Sequence, residues 1–266
     1  MTKKPKWTIT RKRFVAFMDI MGFRNMVFRS SHSQVQRTLD LFQPAVGMIE
    51  REAQNRLHGQ PSADIFGKSV VMPVFFSDSV LLVSSDDSLD SAQNLFFNVR
   101  WLLDQAMLHQ IPMKGAIAYG QQTADFNKSI HFGRPLIDAY ELQAELLLYG
   151  AVLHHTMEHY LNESGMMQEL ENAYLFRSPV HTKTGKITHY SVDWAYSRNV
   201  NQKLPSLYET VSGSARRYVD NTLEFLNYIS SMRRPKSQNS WLPALQAWNH
   251  ASVKSDQPET HTGRQT

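Results

Sequence analysis

The chain has 266 residues, of which 42% are hydrophobic and 11% aromatic, enough for a sizeable core in one domain with a small appendage. It contains no cysteine, which excludes disulfides, cysteine-based zinc sites and a thiol nucleophile, and which fits a reducing cytoplasm. The formal net charge of +4 favours anionic ligands, with nucleotides and phosphates ahead of nucleic acid because no basic stripe is interleaved with aromatic residues.

The first half of the chain predicts strands and helices in alternation. The basic N-terminal segment is not followed by an apolar run long enough for a signal peptide or a membrane span. Residues 14–20 predict an apolar strand, and residues 33–57 carry apolar side chains at helical spacing, in a helix that Pro44 should kink or split. Residues 69–85 predict two strands joined by a tight turn at Ser77 and Asp78.

The second half predicts a longer series of elements. In chain order they are a helix over 87–109 capped by Asp87 or Ser88, a strand over 111–120, a looser segment to Gly133, a helix from Pro135 to about Asn162 with a break near Gly150 left open, a hairpin of 173–180 and 186–194, and a helix over 206–234. This order predicts an α/β (α+β) sandwich of ferredoxin-like type with an antiparallel-rich central sheet. We expect one domain over 1–198, a helical extension over 199–245 packed on it, and a disordered tail over 246–266.

Two acidic residues flank the most apolar strands. Asp19 ends the first strand, and Asp78 lies in the hairpin turn. We expect the first strand to lie beside the strand that precedes this turn, so that the two carboxylates meet at one edge of the sheet. Carboxylates about 4 Å apart repel by roughly 4 kcal/mol at an effective dielectric constant of about 20. Either one of them stays protonated, or divalent cations such as Mg²⁺ or Mn²⁺ lie between them.

The turn after Asp19 adds a second function. Residues 20–23 lead into a helix, whose first amides are suited to bind phosphate oxygens. A metal-binding acid beside a phosphate-binding turn, with a second acid on a hairpin, is typical of two-metal phosphoryl or nucleotidyl transfer. The alternative interpretation is that Asp19 and Asp78 are an ordinary strand-end residue and an ordinary turn residue.

A competing motif lies further along the chain. His155, Glu158 and His159 spell the H-x-x-E-H signature of inverted zincin peptidases on a predicted helix. Residues four apart share a helix face, but a zinc site also needs a third ligand and a cleft. A polar helix face is the alternative reading of this pattern.

The segments "FVAFMDIMGF", "VFFSDSVLLVSS", "MKGAIAYG" and "FGRPLIDAYELQAEL" resemble, in order and approximate spacing over residues 12–195, the class III nucleotidyl cyclase domains. Within that superfamily the chain is most similar to the bacterial pyrimidine cyclases of the Pycsar antiphage system, which convert UTP or CTP to a 3′,5′-cyclic monophosphate that activates a separate effector. The resemblance implies a cytoplasmic homodimer with composite active sites. It also implies two divalent cations, Mn²⁺ or Mg²⁺, that activate the ribose 3′-hydroxyl and hold the triphosphate.

The resemblance also implies roles for individual residues. Asp19, Asp78 and the carbonyl of Ile20 match the metal ligands. The residues that match the phosphate-binding loop are Met21, Gly22 and Phe23.

The chain departs from the purine cyclases at the positions that read the base and stabilise the transition state. Val74 and Ile130 stand where the base-reading polar residues are expected, which favours a pyrimidine or another mode of base recognition. Ile137 and Glu141 stand where a transition-state Asn and Arg are expected. Transition-state charge must therefore be met by other cations.

Four cationic residues are candidates for that role. Lys114 and Arg134 are the catalytic candidates, Lys183 and Lys186 are candidate triphosphate contacts, and such cations can come from the second subunit of the homodimer. The resulting hypothesis is a cyclase that makes cyclic UMP from UTP. Its alternatives are a cytidylate cyclase that uses CTP, and a degenerate protein of the same fold that binds a nucleotide without catalysis.

Overall fold

The computed structural model describes residues 7–61, 69–194 and 198–232. The strands are β1 Thr10–Ile20, β2 Val71–Phe76, β3 Ser79–Ser84, β4 Met113–Asp125, β5 Ile130–Gly133, β6 Gly150–Leu153, β7 Leu175–Thr182 and β8 Gly185–Val192. The helices are α1 Phe23–Arg29, α2 His32–His58, α3 Leu89–Leu108, α4 Arg134–Glu145, α5 His155–Glu163, α6 Met167–Ala173, α7 Arg198–Lys203 and α8 Arg216–Met232. Within these ranges no helix is both long and apolar enough to cross a bilayer.

One eight-stranded sheet organises the domain. Its strand order is β2-β3-β1-β4-β6-β8-β7, and β5 pairs with β4. The first four strands are antiparallel neighbours, and with the helices between them they form the split β-α-β arrangement of a ferredoxin-like fold. The predicted fold class is therefore confirmed. The predicted neighbour of the first strand is wrong, because β1 pairs with β3, the strand after the turn, and β2 lies at the sheet edge.

Helices cover both faces of the sheet. On one face Phe42 of α2 packs edge-on against Phe75 of β2, with ring centroids 6.1 Å apart. On the other face Val15 and Phe17 of β1 lie in a cluster that includes Leu136 of α4. Because side chains alternate along a strand, odd-numbered residues of β1 face α4, and Asp19 shares that face.

The predicted helix at 33–57 is confirmed, and Pro44 does not split it. The helix runs from His32 to His58 without interruption. Pro44 is exposed, so the carbonyl that it leaves without a helical partner points toward water. The helix predicted over 87–109 is also confirmed, with the Ser88 hydroxyl capping it by accepting the Ser91 amide.

In the middle of the chain one predicted boundary is wrong, and a break that was left open occurs. The strand predicted to end at Gly120 continues to Asp125 and forms a hairpin with β5, in which the Asp125 carboxylate accepts the Asn127 and Lys128 amides. The break left open near Gly150 is present, because α4 ends at Glu145 and is followed by β6, a wholly buried strand that pairs with both β4 and β8. A run of four apolar residues does not distinguish a buried strand from a helix segment by periodicity.

The C-terminal region differs from one continuous helix. Short 3₁₀ helices at Pro205–Glu209 and Gly213–Ala215 precede α8. Gly213 has φ 60°, in the left-handed region, so an α-helix cannot pass through it. Residues up to 232 belong to the same compact unit as the sheet, whereas the predicted remainder of the extension and the tail over 246–266 lie outside the described residues.

A glycine of β4, Gly115, permits close pairing of β1 and β4. A Cβ atom at Gly115 would lie 2.2 Å from the Met18 sulfur and 2.7 Å from the Phe17 carbonyl oxygen. We expect Gly115→Ala to destabilise the fold by about 1–3 kcal/mol, because the backbone of β1 must move. Urea unfolding would measure this, with Gly47→Ala on α2 as the control because its nearest neighbour is the end of a glutamine side chain at 3.5 Å. Equal stability of the two variants would contradict the expectation.

Candidate active site

Four residues form a row across the strands at one end of the sheet. Asp19 lies opposite Ser79 of β3 and opposite Lys114 of β4, and Ser79 lies opposite Phe76 of β2. Directly opposed residues of paired strands share a sheet face, so a carboxylate, a hydroxyl and an ammonium group stand side by side.

The hairpin turn brings Asp78 to the same place. The Ile20 amide donates to the Asp78 carbonyl at 2.8 Å, which closes the end of β1 against the turn. Ser77 has φ 57°, a positive value at the first turn position that a type II′ turn requires. The predicted convergence of Asp19 and Asp78 therefore occurs through β3 and its turn.

The electrostatics of Asp19 reflect this arrangement. Burial and the neighbouring Asp78 carboxylate raise the pKa of Asp19 to about 6. Lys114 and a hydrogen bond from the Ser79 side chain act in the opposite direction and hold that pKa lower than it would otherwise be. Two acids that repel each other at a partly buried site are a suitable environment for a divalent cation.

Lys114 is nearly buried, with 6% of its surface exposed. Burial lowers the pKa of Lys114, and the charge of Asp19 partly offsets this effect. Its Nζ donates to the Leu146 carbonyl at 3.3 Å. Lys114 is therefore held at the site by the sheet and by the segment that follows α4.

An open cleft of about 540 Å³ lies over this row. The residues that line it are Asp19, Ile20, Met21, Gly22, Phe23, Arg24, Asn25, Phe28, Asp78 and Lys114. All the predicted metal and phosphate-loop residues and one of the two predicted catalytic cations therefore share one cleft.

The backbone of the predicted phosphate loop is partly engaged. The Met21 amide donates to the Pro112 carbonyl at 2.8 Å, so it anchors the loop rather than facing the cleft. Gly22 follows with φ 79°, in the left-handed region, and no atom lies within 4 Å of the position that a Cβ would take. Gly22 and Phe23 are therefore the loop residues whose amides suit a phosphate.

A second pocket of about 720 Å³, mostly apolar, lies on the same sheet face. Its walls include Val74, Phe17, Leu81 and Tyr140, and Tyr140 packs edge-on against Phe17 at 5.4 Å between ring centroids. Val74, Leu81 and Phe17 form the cross-strand row next to the Asp19 row, and Ser79 lines the pocket as well. The apolar pocket therefore adjoins the carboxylates.

The predicted base-reading positions differ in their placement. Val74 lines the apolar pocket, whereas Ile130 is exposed and its neighbour His131 lines the pocket in its place. The residues on either side of Ile130, Ser129 and His131, both line the pocket. His131 packs against Phe126 with ring centroids 4.9 Å apart, and burial lowers the pKa of His131.

The three remaining predicted cations each form an ion pair with an acidic residue of the chain. Lys183 contacts Glu145 at 3.6 Å, and its charge acts on Lys114. Lys186 is ion-paired with Glu224 of α8. Arg134 begins α4, pairs with Asp138 at 3.6 Å and is 82% exposed, outside the cleft lining of its own chain.

Sequence reasoning missed several residues that line the two pockets. Ser79 carried a signal, since it directly follows Asp78 in the sequence. Arg24 and Asn25 directly follow the phosphate loop and could have been included on that ground. Tyr140 lies on α4, and its place over Phe17 depends on how that helix docks, which no local pattern indicates.

The H-x-x-E-H motif gains no third ligand from residues 7–61, 69–194 and 198–232. Glu158 instead accepts the Tyr190 amide at 3.2 Å and lies 3.7 Å from His189, and His159 pairs with Glu163 on the surface at 3.2 Å. Among the described residues no group of three or more histidine, aspartate or glutamate side chains is placed to hold a metal ion. The zinc peptidase alternative therefore has no support in the described part of the chain.

Solved structures that are similar to this chain include three nucleotide cyclases of low sequence identity. No family model matches it, and no curated protein matches it. A bacterial light-regulated adenylyl cyclase is similar over 76% of this chain and 99% of its own, with 12% identity and a TM-score of 0.47. The catalytic core of a rhodopsin-guanylyl cyclase with converted specificity, in complex with ATPαS, covers 70% and 98% with 15% identity and a TM-score of 0.45. The guanylyl cyclase Cya2 covers 69% and 91% with 11% identity and a TM-score of 0.42.

Cation binding at this site should compete with a proton. The pKa of Asp19 is raised to about 6, so below pH 6 most of its side chains carry a proton. A metal ion can bind the carboxylate only after that proton has left. We expect the affinity for Mn²⁺ to be constant above pH 7 and to fall about tenfold for each pH unit below 6. Calorimetric titration with Mn²⁺ from pH 5 to 8 would measure it.

The matched variant for this titration is Asp19→Asn, which should bind Mn²⁺ weakly and lose most of the pH dependence over the same range. Wild-type affinity that stays constant between pH 5 and 7 would contradict the assignment of the proton to Asp19.

Proposed function

We propose that this chain is a nucleotidyl cyclase that converts a pyrimidine nucleoside triphosphate to its 3′,5′-cyclic monophosphate and pyrophosphate. The observation that carries the proposal is the shared cleft of Asp19, Asp78 and Lys114, in which burial and the second acid raise the pKa of Asp19. An apolar pocket on the same sheet face provides room for the nucleobase next to this polar row.

The donor set of the cleft fits divalent cations. Asp19, Asp78 and the carbonyl of Ile20 supply hard oxygen ligands, and Mg²⁺ and Mn²⁺ usually complete their shell with water and substrate phosphates. Two such ions, Mn²⁺ or Mg²⁺, when bound, supply Lewis acidity to the ribose 3′-hydroxyl and to the phosphates.

The protein's own groups would orient the triphosphate. The amides of Gly22 and Phe23 suit phosphate oxygens, and Lys114 places a positive charge beside Asp19. The ribose 3′-hydroxyl releases its proton to solvent water and its oxygen attacks the α-phosphorus. The bond from that phosphorus to the oxygen shared with the β-phosphate breaks, and pyrophosphate leaves with that electron pair. Because Lys114 is nearly buried, its charge is only weakly screened by water, which favours stabilisation of the developing negative charge.

Arg134 fits this scheme in a homodimer. Its side chain is exposed at the start of α4, on the same sheet face as the apolar pocket, and it does not line the cleft of its own chain. In a head-to-tail homodimer with composite sites, Arg134 would serve the cleft of the second subunit. Lys183, whose charge reaches Lys114, is the proposed triphosphate contact of the same chain, and Lys186 supports that hairpin through Glu224.

The base pocket supports a pyrimidine. Val74 replaces a charged base-reading residue, and the polar groups that line the otherwise apolar pocket include Ser79, Ser129, His131 and Tyr140. A small base with few hydrogen-bonding groups suits such a wall. We propose UTP as the substrate and cyclic UMP as the product, with CTP and cyclic CMP as the alternative.

The biological role that we propose follows from the resemblance to Pycsar cyclases. The cyclic nucleotide would be a cytoplasmic second messenger of antiphage defence that activates a separate effector protein. A genetic test would place this chain and its neighbouring genes in a phage-sensitive host and compare plaque formation with that of an Asp78→Asn strain.

A second candidate function is nucleotide binding without turnover. It is favoured by Ile137 and Glu141, which stand in place of the expected transition-state Asn and Arg, and by the pairing of Arg134 with Asp138. Such a protein would keep the cleft and the apolar pocket and would report on nucleotide concentration by binding alone.

One assay separates the two functions. Purified protein is incubated with each of the four ribonucleoside triphosphates and Mn²⁺, and pyrophosphate release and product mass are measured. A cyclic pyrimidine product that disappears in Asp78→Asn supports the cyclase. No product from any nucleotide, together with nucleotide-dependent thermal stabilisation, supports the binding protein.

A further inference from the structure

Helix α8 lies against residues 146–149, the segment that links α4 to β6. The Thr222 hydroxyl accepts the Tyr149 amide at 2.8 Å, and the Asn221 side chain donates to the Leu147 carbonyl at 2.7 Å. Thr222 and Asn221 are both buried. The helix therefore holds the backbone of this segment at two points, Leu147 and Tyr149, from outside the ferredoxin-like core.

The same segment carries a partner of Lys114. The Leu146 carbonyl accepts a hydrogen bond from Nζ of Lys114 at 3.3 Å, and Leu146 is fully buried. The atoms that α8 fixes in Leu147 and Tyr149 thus come directly after the carbonyl that receives the ammonium group. A displacement of α8 would move this carbonyl.

A second contact from α8 converges on Lys114. Nζ of Lys114 lies 5.8 Å from the centroid of the Tyr218 ring, within the range of a cation–π interaction. Tyr218 in turn stacks on Tyr149 with ring centroids 5.8 Å apart and an interplanar angle of 17°. The aromatic pair therefore borders the lysine on the side of α8.

A lysine side chain is long and flexible, and a buried one stays in place only if other groups hold it. We infer that Tyr218 is a positioning residue, which together with Asn221 and Thr222 holds residues 146–149 and the Nζ of Lys114 beside Asp19. The consequence for turnover rests on the proposed cyclase function, whereas the placement of Lys114 does not.

Helix α8 is also joined to the hairpin that carries Lys183. Glu224 accepts a hydrogen bond from His181 of β7 at 2.8 Å and forms an ion pair with Lys186 of β8. A single helix outside the sheet core thus holds the segment behind Lys114 and the hairpin next to it. The position of α8 then sets how well the cationic side of the cleft is formed.

The test measures the accessibility of Lys114 without requiring activity. The full chain is treated with an acylating reagent at fixed pH, and the rate of labelling of Lys114 is followed by peptide mass spectrometry. Tyr218→Ala should raise that rate about fivefold, because the ring that covers the amine is gone. Tyr218→Phe keeps the ring and should restore the wild-type rate.

Two further variants keep the test decisive. Tyr228→Ala removes a half-buried tyrosine of the same helix that takes no part in these contacts, and it should leave the labelling of Lys114 unchanged. If Tyr218→Ala does not fold, Thr222→Val decides in its place, because it removes the acceptor of the Tyr149 amide at nearly constant volume and should raise the labelling rate about twofold.

Kinetics then separate the inference from the proposed function. In an active enzyme Tyr218→Ala should lower kcat more than it raises KM, and Tyr218→Phe should recover kcat. Labelling of Lys114 at the wild-type rate in a folded Tyr218→Ala variant, or in Thr222→Val if that variant decides, would overturn the inference. Absence of turnover in the wild-type chain would overturn the cyclase proposal and leave the labelling result to decide the role of Tyr218.

Discussion

Asp78→Asn is expected to lower the formation of the cyclic nucleotide at least about a thousandfold while the protein remains folded. Asn keeps the size of this half-buried side chain but removes the charge that a divalent cation needs. Loss of several kcal/mol of charge stabilisation in the transition state accounts for an effect of this size. The Mn²⁺-dependent rise in melting temperature should disappear together with the activity.

The measurement is product formation from UTP and from CTP at saturating Mn²⁺, with the thermal melt recorded in parallel. Asp40→Asn is the matched control, because Asp40 is an exposed aspartate on α2, a helix that packs on the opposite face of the sheet. It should retain full activity and the full response to Mn²⁺. An Asp78→Asn variant with activity within threefold of the wild type would exclude a metal role for the pair.

Lys114→Met is expected to lower turnover about a hundredfold, because it removes a nearly buried positive charge from the cleft. It should also change the pH dependence. The charge of Lys114 holds down the pKa of Asp19, so without it that pKa rises further above its usual range. The acid limb of the pH–rate profile should therefore move to higher pH.

The control for this variant is Lys12→Met, which neutralises an exposed lysine on β1. It should leave both the rate and the acid limb unchanged. If Lys114→Met lowers the activity by the same factor at every pH, the positive charge of Lys114 acts on the substrate alone. The expected influence of Lys114 on the pKa of Asp19 would then be wrong. Unchanged activity would remove Lys114 from the site.

The sequence allowed prediction of the fold where the pattern is local. The strand at 14–20, the hairpin around Asp78 and the helix at 87–109 each carry a clear apolar period or cap, and each was confirmed. The strand β6 could not be distinguished from a helix, because its four apolar residues form a strand only by pairing with β4 and β8, which come from distant parts of the chain. The neighbour of β1 was wrong for the same reason, since strand order is a property of the whole sheet.

The site was predictable where two acids and a turn lie in apolar segments. Asp19, Asp78 and Gly22 do share a cleft. The sequence could not predict that the Met21 amide is unavailable to a phosphate. This amide donates to the carbonyl of Pro112, which lies in the loop before β4. Nor could His131 or Tyr218 be found, because His131 reaches its pocket through the register of β5, and Tyr218 reaches Lys114 only when α8 is docked.

The most direct measurement is anomalous diffraction from Mn²⁺ in crystals grown with a non-hydrolysable analogue of UTP. We expect manganese peaks within ligand distance of both the Asp19 and the Asp78 carboxylates, with the triphosphate against Gly22 and the base in the apolar pocket lined by Val74. Peaks elsewhere, or a nucleotide bound with no metal at these two carboxylates, would contradict it.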